Sequence, residues 1–208
     1  MTFPPYTYPD SSVLINRWNI RDAATLDTLE RKTTLLYLNE MADQVLGDFD
    51  VIHLKRIHDV LFHDLYEWAG QFRHVDIGKE QTLFCRAAFL DGEADRIFQR
   101  LRVWAFRPIA HAERLAQLAG GLLTDLNMLH PFREGNGRTQ REFVRQLARY
   151  HGFELDYGRM DAAAYLAASV ADRAEEMARV LRRAIPQVVP NRALRDQYQA
   201  ASDRGWER

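Results

Sequence analysis

The chain has 208 residues, 47% hydrophobic and 27% charged, with 28 basic and 29 acidic side chains and a formal charge of -1. Such a length and apolar content suit one globular domain with a sizeable core and exclude a disordered chain. The balanced charge offers no overall footprint for nucleic acid or an anionic membrane.

The N-terminus, MTFPPYTYPD, has neither a basic start nor an apolar run, so it does not read as a secretory signal, and no apolar stretch reaches bilayer-spanning length. A soluble, cytoplasmic protein is expected. A first helix is predicted from about Asp22 to Gln44. Leu54, Ile57, Leu61 and Leu65 then recur at helical spacing and give a second helix one buried stripe. His53, His58 and His63 are spaced by five, which rotates them about 140° apart on a helix; they are poor metal ligands and are expected at a surface or interface.

Residues 70 to 84, GQFRHVDIGKEQTLF, break the helical pattern. Arg73, Val75 and Ile77 alternate with His74, Asp76 and Gly78, turn-friendly residues follow, and Thr82, Leu83 and Phe84 resume, which predicts a short β-hairpin; an irregular loop is the alternative. The single cysteine, Cys85, excludes an intramolecular disulfide and a cysteine-based zinc cluster, fits a reducing compartment, and is expected to pack as a small hydrophobe. Ile97, Leu101 and Trp104 mark another helix, and Leu115, Leu118, Leu122, Leu126 and Leu129 a longer one. Further helices are predicted from Arg138 to His151, from Ala162 and in the arginine-rich stretch before Pro186. One domain over 1–190 is expected, with 191–208 a polar C-terminal helix or tail.

Between these helices lies HPFREGNGRTQREF, residues 130 to 143. If a helix starts near Gly137, its free N–H groups converge on one point, and glycines on both sides of Asn136 let the backbone approach an anion. Arg138 and Arg141, three apart, could grip successive phosphates. Glu134 would repel them unless a divalent cation intervened, and Mg²⁺ is bound by one or two carboxylates plus phosphate oxygens and waters. The expectation is therefore a magnesium nucleotide. His130 stands where a neutral imidazole could take a proton from an attacking hydroxyl, and Phe132 would turn inward as the loop's anchor. Arg145 and Arg149, further along, are expected on a solvated face, opposite Phe143, Val144, Leu147 and Tyr150. The chain lacks GxxxxGK[ST], GxGxxG and HExxH.

HPFREGNGRTQR matches the motif HxFx[DE]GNGRxxR at every specified position, and the chain is identified by it as resembling the Fic-domain family. EWAGQFRHVDIGKEQTLFC resembles that family's target-binding flap, and YPDSSVLINRW together with the helix order resembles the bacterial Fic toxins, over about residues 5 to 187. The resemblance implies an all-α fold, a helical bundle with a small β-hairpin flap, and adenylylation: transfer of AMP from ATP to a protein hydroxyl. It would make His130 the base, Glu134 the Mg²⁺ ligand, Gly135, Asn136 and Gly137 the anion hole, Arg138 and Arg141 the phosphate ligands, and Val75, Asp76 and Ile77 the flap that holds the target as an added strand.

Relatives that transfer phosphate carry Lys where Gly137 stands, so the glycine favours AMP. No Glu in the chain has Ser or Thr four residues before it, so the family's inhibitory helix [ST]xxxE[GN] is missing and a separate antitoxin is expected to supply it. The ATPase subunits of DNA gyrase and topoisomerase IV are the targets that the resemblance suggests. The alternatives are a Fic-fold transferase of another phosphate-containing moiety and a non-catalytic nucleotide-binding regulatory module.

Overall fold

A computed structural model of the chain describes residues 6–40, 45–79 and 82–205. The architecture is all-helical, with α1 (Ala23–Glu40), α2 (Val51–Phe62), α3 (Leu90–Arg102), α4 (Ala112–Leu129), α5 (Asn136–Tyr150), α6 (Ala162–Ala171), α7 (Ala174–Ala184) and α8 (Arg192–Gly205). The first helix begins where expected; its predicted last turn, 41–44, lies outside the described residues.

The leucine stripes become the core. Leu54, Ile57 and Leu61 of α2 and Leu115, Leu122, Leu126 and Leu129 of α4 are at most 5% exposed. Helix α4 is the axis of the bundle, flanked by α7, α5 and α3, while α2 lies between α5 and α1. The approach of α7 to α4 depends on Gly120: a Cβ there would meet the Ala178 amide nitrogen at 2.7 Å and the Ala174 carbonyl at 2.9 Å. Helix starts are capped by sequence-local carboxylates, Asp50 accepting from the His53 amide and Asp161 from the Ala163 and Ala164 amides.

Helix α5 departs from the expected two-faced helix. Besides Phe143, Val144 and Leu147 it buries Thr139, Gln140, Glu142 and Gln146, each at most 3% exposed. These polar groups are satisfied internally: Arg145 donates twice to Glu142 at 2.7 Å, Gln146 donates to Glu142 at 2.8 Å, and Gln140 donates to the Leu126 carbonyl at 2.9 Å. The Arg145 side chain is only 15% exposed, so its expected solvated face is corrected to a buried ion pair; Arg149 pairs with Glu154 at 3.3 Å. His53 and His58 are likewise buried, at 2% and 0% exposure, rather than at a surface.

The non-helical segment forms only a minimal ladder. β1 (Gly78–Lys79) pairs antiparallel with β2 (Thr82–Leu83), Gly78 facing Leu83. Residues 73–77, expected as a strand by their alternation, join it only at Ile77, whose carbonyl accepts from the Phe84 amide at 3.4 Å; Arg73 turns inward and Asp76 accepts from the Ala87 amide at 2.7 Å. No helix of the described residues is long and apolar enough to cross a membrane.

Candidate active site

Helix α4 ends at His130, whose backbone is left-handed (φ 44°, ψ 57°) while its N–H still bonds the Leu126 carbonyl. That conformation is costly for an L-residue and is held here from several sides. The imidazole Nδ1 lies 3.1 Å from the Asn127 carbonyl oxygen, and the Phe84 ring stacks on the imidazole at 3.8 Å. A carbonyl only accepts, so the hydrogen of the neutral imidazole sits on Nδ1 and the lone pair on Nε2.

The following loop closes on itself. Asn136 accepts from the Phe132 amide at 2.9 Å and donates to the Phe132 carbonyl at 2.8 Å. Phe132 is fully buried, stacked on His58 at 3.8 Å. His58 in turn accepts from the Gly70 amide through Nδ1 and donates from Nε2 to the Glu134 carbonyl at 3.0 Å. Burial pushes its pKa down to about 3, so near neutral pH it is uncharged and supplies the one donor and one acceptor these contacts need.

Gly135 precedes α5 with φ 80°, and a Cβ there would sit 2.2 Å from the Phe62 Cζ, so both backbone and packing demand glycine. Gly137 differs. A Cβ there would touch only the Arg141 guanidinium, at 3.2 Å from Nη1, so the fold itself does not require this glycine. The first amide of α5 to find a helix carbonyl is that of Thr139, bonded to Gly135 at 3.1 Å; the amides of 136 to 138 precede it at the positive end of the helix dipole.

Arg138 and Arg141 diverge more than their spacing suggests. The Arg138 guanidinium lies 4.8 Å from the Phe62 ring centroid and donates to Glu30 and, at 3.2 Å, to Thr34, both on α1; Tyr66 also donates to Glu30, at 2.5 Å. Glu134 is 3.6 Å from Arg138 and accepts from the Gly135 amide at 2.8 Å, with its side chain 45% exposed. The Arg141 guanidinium lies 5.8 Å from the Tyr165 ring, and among the described residues no carboxylate forms an ion pair with it.

No group of three or more His, Cys, Asp or Glu among the described residues could hold a metal ion. A half-exposed single carboxylate such as Glu134 would fit a Mg²⁺ ion that takes most of its ligands from a substrate and water.

On the other side of His130 stands the segment with Val75, Asp76 and Ile77. Val75 is 37% exposed. The Ala87 amide, with help from the Arg86 guanidinium 3.5 Å away, holds the Asp76 carboxyl below its ordinary range. Arg73, buried at 2% exposure, spans from this segment to the end of α4 through four carbonyl oxygens. Sequence reasoning assigned no role to Arg73, His58 or Glu30. The only local sign was a charged residue in step with Val75 and Ile77.

The Fic/DOC family profile matches residues 48–148. Protein adenylyltransferase VbhT of Bartonella schoenbuchensis is 37% identical over 91% of this chain, which spans 41% of that protein's length. Probable protein adenylyltransferase y4lH of Sinorhizobium fredii is 39% identical over 80% of this chain and 86% of its own. Among solved structures, the N-terminal Fic domain of a VirB-translocated Bep effector from Bartonella quintana, crystallised with ADP, superposes with a TM-score of 0.80 at 26% identity, covering 91% of this chain and 96% of that one.

Proposed function

The chain belongs to the Fic/DOC family, and we propose that, like the relatives named protein adenylyltransferase, it transfers AMP from Mg-ATP to a hydroxyl side chain of a target protein, releasing pyrophosphate. The observation that carries the reading is the orientation of His130, whose Nδ1 is engaged by the Asn127 carbonyl so that Nε2 can act as base.

In the proposed reaction Nε2 takes the target's hydroxyl proton. The hydroxyl oxygen then forms a bond to the α-phosphorus, and the bond from that phosphorus to the bridging oxygen of pyrophosphate breaks. The amides at the start of α5, with Gly135, Asn136 and Gly137, receive the phosphate oxygens, and Arg138 and Arg141 bind the phosphate chain from two sides. Glu134 would hold Mg²⁺, which when bound neutralises charge developing on the phosphates. Because the fold does not require glycine at 137, its missing side chain is best explained by the approach of a ligand.

The main chain around Val75, Asp76 and Ile77 would hold the target as an added strand, which supplies register through backbone bonds. With Arg141 unpaired with a carboxylate among the described residues and no [ST]xxxE[GN] segment in the sequence, a separate antitoxin carrying such a helix is the proposed brake, and the protein is then the toxin of a two-component module acting in the cytoplasm. Glu30 pairs with Arg138, not with Arg141. Gyrase and topoisomerase IV ATPase subunits are the proposed targets. Incubating the purified protein with Mg-ATP and the gyrase ATPase subunit, then mapping modified residues by mass spectrometry, tests this. AMP on a hydroxyl side chain supports the target; an unmodified subunit beside an AMP-modified lysate protein would replace it.

A further inference from the structure

Arg73 takes no part in the reaction as derived above, yet it connects the two elements that reaction must align. Its Nε donates to the His130 carbonyl at 2.9 Å and its Nη1 to the Val75 carbonyl at 2.6 Å. Its Nη2 donates to the Cys85 carbonyl and, at 3.5 Å, to that of Leu129. The Arg73 amide donates to the Pro131 carbonyl at 2.8 Å, and the Cys85 amide to that of Met128 at 2.9 Å. Both arms of the flap and the turn at His130 are thus gathered on one planar fork.

The chemistry of these contacts is unusual for a buried cation. A guanidinium taken out of water is costly, and the ordinary remedy is a carboxylate. Here the acceptors of the four side-chain bonds are main-chain carbonyls, while Asp76, the acid on the same segment, is turned to Ala87 and Arg86. The arrangement fixes backbone positions rather than neutralising a charge. One of those positions is the carbonyl of His130 itself, in its left-handed conformation.

We propose that Arg73 is a positioning residue that sets the target-holding flap against the imidazole of His130, so that the hydroxyl carried by a docked strand meets Nε2. The proposal rests on the adenylyl-transfer reading. A planar fork can hold several carbonyls in fixed relation, whereas an ammonium is a point charge with three donors on a flexible stem. A merely structural cross-link would behave otherwise: its loss would lower nucleotide binding and transfer together, in step with the folded fraction.

The test uses the full chain as wild type, Arg73→Lys and Arg73→Ala. Three quantities are measured: kcat and KM for AMP transfer to the principal acceptor labelled in a cell lysate, the affinity for Mg²⁺ with a non-hydrolysable ATP analogue, and amide exchange along the chain. Arg73→Lys is expected to lose about 10²-fold in kcat, the scale of an angstrom of misplacement, with analogue affinity unchanged. Exchange should quicken at 82–86 and not in the core of α5. Transfer by Arg73→Lys at the wild-type rate, or equal loss of binding and transfer, would overturn the proposal. If the Ala variant does not fold, the Lys variant decides. A wild type that transfers no AMP would overturn the adenylyl-transfer reading; exchange would then still show whether Arg73 holds the flap to His130, and unchanged exchange would remove that link as well.

Discussion

His130 Nδ1 lies 3.1 Å from the backbone carbonyl oxygen of Asn127, one turn earlier on the same helix. This contact leaves the lone pair of the neutral ring on Nε2, which is what the proposed base requires. Replacing His130 by Ala is expected to lower transfer by about 10² to 10⁴, the usual worth of a general base, while Mg-nucleotide binding stays close to wild type. Calorimetry on both forms checks this, and a variant that loses affinity along with turnover would show His130 to be a binding group.

The two glycines beside Asn136 should respond differently to the same change. Gly135→Ala places a Cβ in the Phe62 ring at a residue with φ 80°, and should destabilise the fold by roughly 1 to 3 kcal/mol. Gly137→Ala meets only the movable end of Arg141, and should leave stability unchanged or slightly raised while weakening nucleotide affinity. Urea unfolding and nucleotide titration separate the two. Equal unfolding midpoints would contradict the packing argument.

Acid should destabilise the protein through its buried imidazoles. Burial depresses the pKa of His58 to about 3 and that of His151 to about 4, and lowers that of His53. Between the unfolded value of about 6.5 and these values, the unfolded chain binds more protons than the folded one, so stability is complete above about pH 6.5 and is lost as pH falls toward 3. Each such group contributes a slope of about 1.4 kcal/mol per pH unit at most. His58→Gln should reduce the slope between pH 6 and 4 by about one proton. A slope unaltered by the substitution would show that His58 is not buried as a neutral ring.

Glu30 and Arg138 come from helices 108 residues apart in sequence, and each is mostly buried. Removing the carboxylate takes the closest acceptor from the guanidinium, which keeps Thr34 and the more distant Glu134, and leaves the Tyr66 hydroxyl without its acceptor, so Glu30→Ala should cost roughly 2 to 4 kcal/mol. Glu30→Gln should cost less, because an amide oxygen still accepts. If Arg138→Met combined with Glu30→Ala costs no less than the sum of the two single changes, the pair is not coupled in the way these contacts require.

What the sequence made legible was local. Leucine spacing located α2 and α4, and the motif around Asn136 placed the loop between α4 and α5, because both depend on near neighbours along the chain. The long-range polar contacts were not legible. His58 meets the Glu134 carbonyl, Arg73 the His130 carbonyl and Glu30 the Arg138 side chain, and neither a backbone acceptor nor a distant partner leaves a mark on the local pattern. The same cause misled the reading of α5, where Arg145 was expected on a wet face and in fact sits with Glu142 and Gln146 in a buried, self-satisfied network. The alternation at 73–77 suggested a strand, but at Arg73 it reflects a side chain turning inward, and cross-strand bonding reaches back only to Ile77.

The most direct test of adenylyl transfer is to incubate the purified protein with Mg²⁺ and cell lysate, supplying ATP labelled at the α-phosphate in one reaction and at the γ-phosphate in another, beside His130→Ala. Protein label from the α position alone, absent with His130→Ala, is the predicted result. Label from the γ position, or α label that persists in the variant, would contradict it.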